Sequence, residues 1–186
     1  MWEPWIGDRF AETGLLFLGE RAYSWTEGEE RKDPSARHSC DMVEWVTHDF
    51  RGCLGGQRFT VKLSRALTGE RWPDADQVAQ AWRRVAVTNY VPVTVGVGAG
   101  KRPSPALWTA AADEFPALLE RIRPRAIIVL GIEMWWKRMP APFAASTDER
   151  EYRLDDGSPV RCRGLRHPSR GFPLADLEAE IRRFGG

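Results

Sequence analysis

An α/β fold, a three-layer α/β/α sandwich around a central, mostly parallel four-stranded sheet, is what this sequence predicts, on three observations. Leu15–Leu18, Val85–Thr88 and Ala126–Leu130 are short, nearly unbroken apolar runs, the pattern of strands buried on both faces. Between them lie longer stretches whose apolar residues recur at helical spacing, so strands and helices alternate and pack as a covered parallel sheet. Each run empties into glycine or polar residues, and in open α/β sheets ligands sit at the carboxyl ends of the strands.

Length and composition bound the rest. A chain of 186 residues is enough for one domain, 1–186, with a substantial core and no need of disulfide or metal staples. Lys and Arg number 27 against 26 Asp and Glu, so no global cationic signature marks a nucleic-acid binder and any such role must rest on local charge. The positive charge is mostly arginine, whose planar fork suits phosphate. Cys40, Cys53 and Cys162 are odd in number and lack CxxC spacing, which argues against a disulfide framework, a zinc knuckle or a four-cysteine cluster. A reducing, cytoplasmic setting fits them. No basic segment leads into an apolar run, and no 18 apolar residues occur together, so neither export nor a membrane partner is expected.

The elements follow in order. Residues 1–13 scatter Trp2, Trp5, Ile6 and Phe10 among turn formers and read as an irregular arm packed on the domain. After the first strand, 25–39 has the composition of a solvated loop. Met42, Val43, Trp45, Val46 and Phe50 predict a helix from Cys40 that ends near Gly55-Gly56. A second helix spans Phe59 to Thr68 and stops at Gly69; a third, Asp74 to Trp82, follows Pro73. The strand Val85–Thr88 opens into Asn89, and 92–104, with Pro92 and three glycines, reads as a loop longer than a turn requires. Ser104-Pro105 is an N-cap with proline at the first helical position, opening a helix that runs to Ile122 with Pro116 as a kink. The third strand, Ala126–Leu130, ends at Gly131 before a short helix. Glu151 to Leu154, the turn Asp155-Asp156-Gly157 and Pro159 to Arg163 form a hairpin-like pattern whose second arm is the expected fourth strand, and Leu174–Phe184 is a closing amphipathic helix.

The strand exits lie along one edge and deliver Glu20, Arg21 and Tyr23, then Asn89, then His167 and Ser169. A carboxylate, an amide and an imidazole in one crevice are what a polar ring needs to be read and to have its charge managed. Each residue also has a plainer reading. Glu20 can pair with Arg21 or a distant arginine as a structural salt bridge, Asn89 can cap a turn, and His167 before Pro168 can face solvent.

Four segments in order resemble the uracil-DNA glycosylase superfamily over about residues 14–184. Leu-Phe-Leu-Gly19-Glu-Arg-Ala-Tyr23 resembles its first motif, a strand that ends in glycine. Val-Thr-Asn89-Tyr-Val resembles the strand whose Asn grips the base. Arg102-Pro-Ser-Pro-Ala-Leu-Trp through Arg123 to Gly131 is similar to the corresponding segment of the iron-sulfur branch. Leu165-Arg-His167-Pro-Ser169 resembles the His-Pro-Ser motif. The resemblance implies a DNA partner, single- or double-stranded, a flipped nucleotide and hydrolysis of the N-glycosidic bond of uracil or another altered pyrimidine. It implies that His167 donates to the departing base, that Glu20 carries the charge role at the sugar, and that Gly19, Asn89 and Tyr23 form the base site. Ser169 would hold a phosphate, Arg170 or Phe172 would wedge the duplex, and Arg21 and Arg102 complete the DNA-facing set.

The departures are equally specific. Branches with an Asp two places after the motif glycine use it at the sugar, and here that place is taken by Arg21. The iron-sulfur branch has a Cys where this chain has Val93, so no cluster, and no other cofactor or metal, is expected. These departures leave two alternatives: a glycosylase for modified bases of foreign or phage DNA, and a catalytically silent nucleic-acid-binding protein of the same fold. A monomer is the expected state.

Overall fold

Leu15 to Leu18 form the centre of the molecule because all four are fully excluded from solvent and alternate between two separate cores. A computed structural model describes residues 2–27, 30–32, 34–55, 58–98, 101–168 and 174–185, with backbone alone at 23–27, 30–32, 54, 55 and 58. The strands are β1 (Trp5–Ile6), β2 (Leu15–Glu27), β3 (Glu30–Lys32), β4 (Val85–Val97), β5 (Ala126–Leu130), β6 (Ala144–Ala145), β7 (Glu149–Arg153) and β8 (Pro159–Leu165). The helices are α1 (His38–His48), α2 (Arg58–Thr68), α3 (Ala75–Trp82), α4 (Pro105–Ile122), α5 (Ile132–Lys137) and α6 (Leu174–Gly185).

The sheet runs in the order β1-β4-β2-β5-β8-β7-β6, and β3 pairs with the far end of β2. Its centre, β4-β2-β5-β8, is parallel, and the pairs β1–β4, β8–β7 and β7–β6 are antiparallel. The α/β class is as expected, but the sheet has seven strands in line rather than four. The added strands are the ones whose sequence carries little buried-strand signal. β1 and β6 have two residues each, and β7, Glu-Arg-Glu-Tyr-Arg, buries only Tyr152.

Strand alternation sorts the core into two layers. Leu15, Phe17, Val85, Val87, Ala126, Ile128 and Leu130 meet α1, α2, α3 and α6 on one side. Leu16, Leu18, Ala86, Ile127 and Val129 meet α4 and α5 on the other. Local chemistry fixes the helix starts: Asp74 and Gln77 form a reciprocal capping box at α3, and Ser104 accepts from the Leu107 N–H at α4 with Pro105 behind it. Trp135 of α5 packs flat on the sheet at Gly164, where a Cβ would lie 2.1 Å from the indole Cγ.

Two expected loops are strand. β2 continues through 27 and turns back as β3, and β4 continues through Val97. Beyond Asn89, the residues Val91, Val93, Val95 and Val97 keep a period of two that Pro92 and Gly96 disguise. Pro92, which has no N–H to donate, falls where the β2–β4 register slips between Arg21↔Val91 and Ala22↔Thr94.

Candidate functional site

The connection from β2 leads to β4 on one side, and the connection from β4 returns across β2 to β5 on the other. The carboxyl ends of these central strands are therefore the switch point at which open α/β sheets take ligands. Register aligns the exits: Gly19 pairs with Asn89 and Leu130, and Leu130 pairs with Leu165, two residues before His167. At this edge opens a cleft of about 460 Å³, within the range of small-molecule sites.

Gly19, Thr88 and Asn89 lie in the cleft, with Ala22 and Val87 beside them. Gly19 is required by close approach: a Cβ there would stand 2.5 Å from Asn89 Oδ1. The Asn89 side chain makes no hydrogen bond among the described residues, and an amide carries both a donor and an acceptor. His167 also lines the cleft, its ring stacked on Phe59 of α2 at 5.3 Å and 24°. One turn along the same helix, Lys62 Nζ donates to the Pro168 carbonyl at 2.5 Å. Residues three apart share a helix face, so α2 grips the His-Pro turn twice.

The third contributor is α1, which brings His38 and Asp41 of its first turn and Trp45 further along into the same cleft. Ser35 Oγ donates to Asp41 Oδ2 at 2.5 Å and accepts from the Arg37 backbone N–H at 3.0 Å, which directs the hydroxyl proton at the carboxylate. His38 packs edge-on against Trp2 at 5.8 Å. Burial pulls its imidazole below the ordinary histidine value, with the Asp41 charge pulling the other way.

Glu20 stands apart from this set. It has the parity of Leu16 and Leu18, so its side chain leaves the sheet on the α4–α5 side, 3.5 Å from the position a Gly131 Cβ would take. It is 8% exposed, and both of its oxygens accept from Arg102 Nη1 at 2.8 and 2.9 Å. Arg21 pairs with Oε1 as well, and Arg102 also reaches Glu133 at 3.2 Å. Arg102 is thus held by two carboxylates, whereas Arg21 both lines the cleft and carries the Glu20 pair. The Tyr23 side chain and residues Ser169, Arg170 and Phe172 lie outside what the structure describes.

Sequence reasoning thus brings Gly19, Asn89, His167 and Arg21 to one cleft, and Glu20 and Arg102 to another face. It missed Phe59, His38 and Asp41. In the sequence His38 has no ligand-like partner near it and reads as a surface or helix residue. Phe59 is the first apolar residue after the Gly55-Gly56 break and signals only a helix start. Among the described residues, no three His, Cys, Asp or Glu stand close enough together to hold a metal ion. No described helix is long and apolar enough to cross a membrane. No family model matches the chain, and no curated protein matches it.

Proposed function

We propose that the protein is a DNA glycosylase of the uracil-DNA glycosylase type, acting on uracil or another altered pyrimidine. The observation that carries this reading is the joint presence, in one cleft, of the Asn89 amide over Gly19 and a His167 imidazole set against Phe59. The ordered likeness of four segments to that superfamily supports it.

The chemistry suits these groups. A base cannot leave its sugar inside the stack, so the nucleotide is flipped into a pocket at a cost of roughly a few kcal/mol. Asn89 donates to and accepts from the pyrimidine edge. As the N-glycosidic bond breaks, negative charge gathers on the base, and an imidazole N–H aimed at it is worth about 3 kcal/mol in the transition state. The Phe59 stack and the Lys62 clamp on the Pro168 carbonyl fix where that imidazole stands.

The test is incubation with oligonucleotides carrying uracil in single strands or opposite guanine or adenine, followed by alkaline cleavage of abasic sites. Scission by the wild type that disappears with His167→Ala supports the reading. Intact DNA from every substrate, including phage DNA with modified bases, sinks it. The engagement of Glu20 by Arg21 and Arg102 favours one second reading, a binder that keeps the fold without the reaction. Such a protein would shift the same oligonucleotides in a gel, more weakly as salt rises, and leave them whole.

A further inference from the structure

Hydrolysis of an N-glycosidic bond needs two kinds of group. One holds the departing base, and the other accepts a proton from the water that attacks the sugar and faces the positive charge left there. Asn89 and His167 answer the first need. Glu20, the residue expected to answer the second, is turned to the far side of the sheet with both oxygens engaged by Arg102.

Resting on the glycosylase reading, we infer that Asp41, in the first turn of α1, is the carboxylate that accepts the proton of the attacking water. Among the described residues that line the cleft it is the one carboxylate. It is exposed there, whereas Glu20 is 8% exposed. Ser35 holds Oδ2, and among the described residues no hydrogen bond holds Oδ1, which leaves that oxygen for water. The Ser35 hydroxyl is itself oriented by the Arg37 backbone N–H, so the side chain that holds the carboxylate is fixed in turn by backbone. Asp41 enters from a different element than His167, as a reaction with a base side and a sugar side requires.

The same arrangement accounts for Arg21. A cation lining the cleft would oppose a forming oxocarbenium ion, and the pair with Glu20 offsets its charge. His38, one turn before Asp41, has its charged form disfavoured by burial. In the step itself, the water oxygen bonds to the anomeric carbon as its proton passes to Asp41 Oδ1. The electron pair of the carbon–nitrogen bond leaves with the base, which accepts the His167 hydrogen bond and later takes a proton from solvent. Asp41 returns its proton to solvent.

Two abasic-site oligonucleotides test this without turnover: one with a neutral tetrahydrofuran and one with a cationic pyrrolidine in place of the sugar. The wild type should bind the cationic form at least about tenfold more tightly. Asp41→Asn should lose that preference while binding the neutral form as before, and His167→Ala should keep it. In parallel, Asp41→Asn should slow single-turnover base release by about 10²-fold or more with the oligonucleotide Kd unchanged. A preference that survives in Asp41→Asn, or that falls equally in His167→Ala, overturns the assignment and leaves the glycosylase reading standing. A wild type that neither releases a base nor binds either oligonucleotide overturns both. Equal melting temperatures for the two variants and the wild type are the folding control.

Discussion

Gly19 and Glu20 are adjacent in β2, yet the two faces of the sheet they address are built in opposite ways. On the Gly19 face, polar groups meet in an open cleft: an amide with no hydrogen-bond partner among the described residues, a histidine braced by a ring, and a carboxylate held by one of its oxygens. On the Glu20 face, a buried carboxylate is closed into ion pairs with Arg21 and Arg102, and Arg102 reaches on to Glu133. The lesson is that charge density alone does not mark a site. The Glu20 face closes its charges into ion pairs with one another, and the Gly19 face gathers its polar groups around an open cleft.

Substitutions on the two faces should therefore separate activity from stability. The largest effect belongs to Asn89→Ala, which should lower base release by about 10²–10³-fold with the melting temperature unchanged. Gly19→Ala, by pushing a methyl into the space of Oδ1, should approach that loss through position alone, about 10²-fold. Glu20→Ala should do the reverse. It removes the carboxylate paired with Arg21 at a nearly buried position and should destabilise by about 3 kcal/mol, a fall of roughly 6–12 °C in Tm. Arg102→Ala, at a residue 46% exposed, should cost only about 1 kcal/mol. A Glu20 variant that melts like the wild type but has lost activity would break the comparison.

On the Glu20 side of the sheet, at the contact with Trp135, Gly164→Ala sets a packing reference. Its methyl would overlap the Trp135 indole and should cost about 1–3 kcal/mol in chemical denaturation, with activity lost only in proportion to folded protein. The smallest effect sharpens the picture of α1. Burial holds folded His38 below its ordinary value, so as pH falls through about 6.5 the unfolded chain takes a proton that the folded chain resists, and stability drops. His38→Gln removes this contribution. Its Tm should fall less than that of the wild type between pH 7 and pH 5.

Much of this arrangement was legible before any coordinates. The double-sided burial of Leu15–Leu18 and Ala126–Leu130, the Ser104-Pro105 helix start and the helix spans of α2 and α3 follow from periodicity and capping, which are local signals. The face that each site residue serves was present too, in strand parity: Gly19 shares the parity of Leu15 and Phe17, and Glu20 does not. It went unread because a motif names residues along the chain and is silent about which side of the sheet they leave. The Arg102 partnership spans 82 positions and has no local trace. Asp41 and His38 were hidden for the same reason: helical spacing shows which residues face the core, not what the opposite rim of the helix overlooks. The extension of β4 to Val97 was masked by Pro92 and Gly96, whose turn-forming character outweighed the alternating valines around them.

The outermost strands have a consequence for how the molecule meets its own copies. β1 and β6, at the two ends of the sheet order, each offer a ladder two residues long. Strand-by-strand growth needs a longer row of unpaired backbone groups than that. Where β4 runs on past its pairing with β1, Pro92 interrupts its donors. The brevity of the terminal strands thus guards a wide sheet against edge-to-edge polymerisation, a protection that lengthening β1 or β6 by a few β-branched residues would remove.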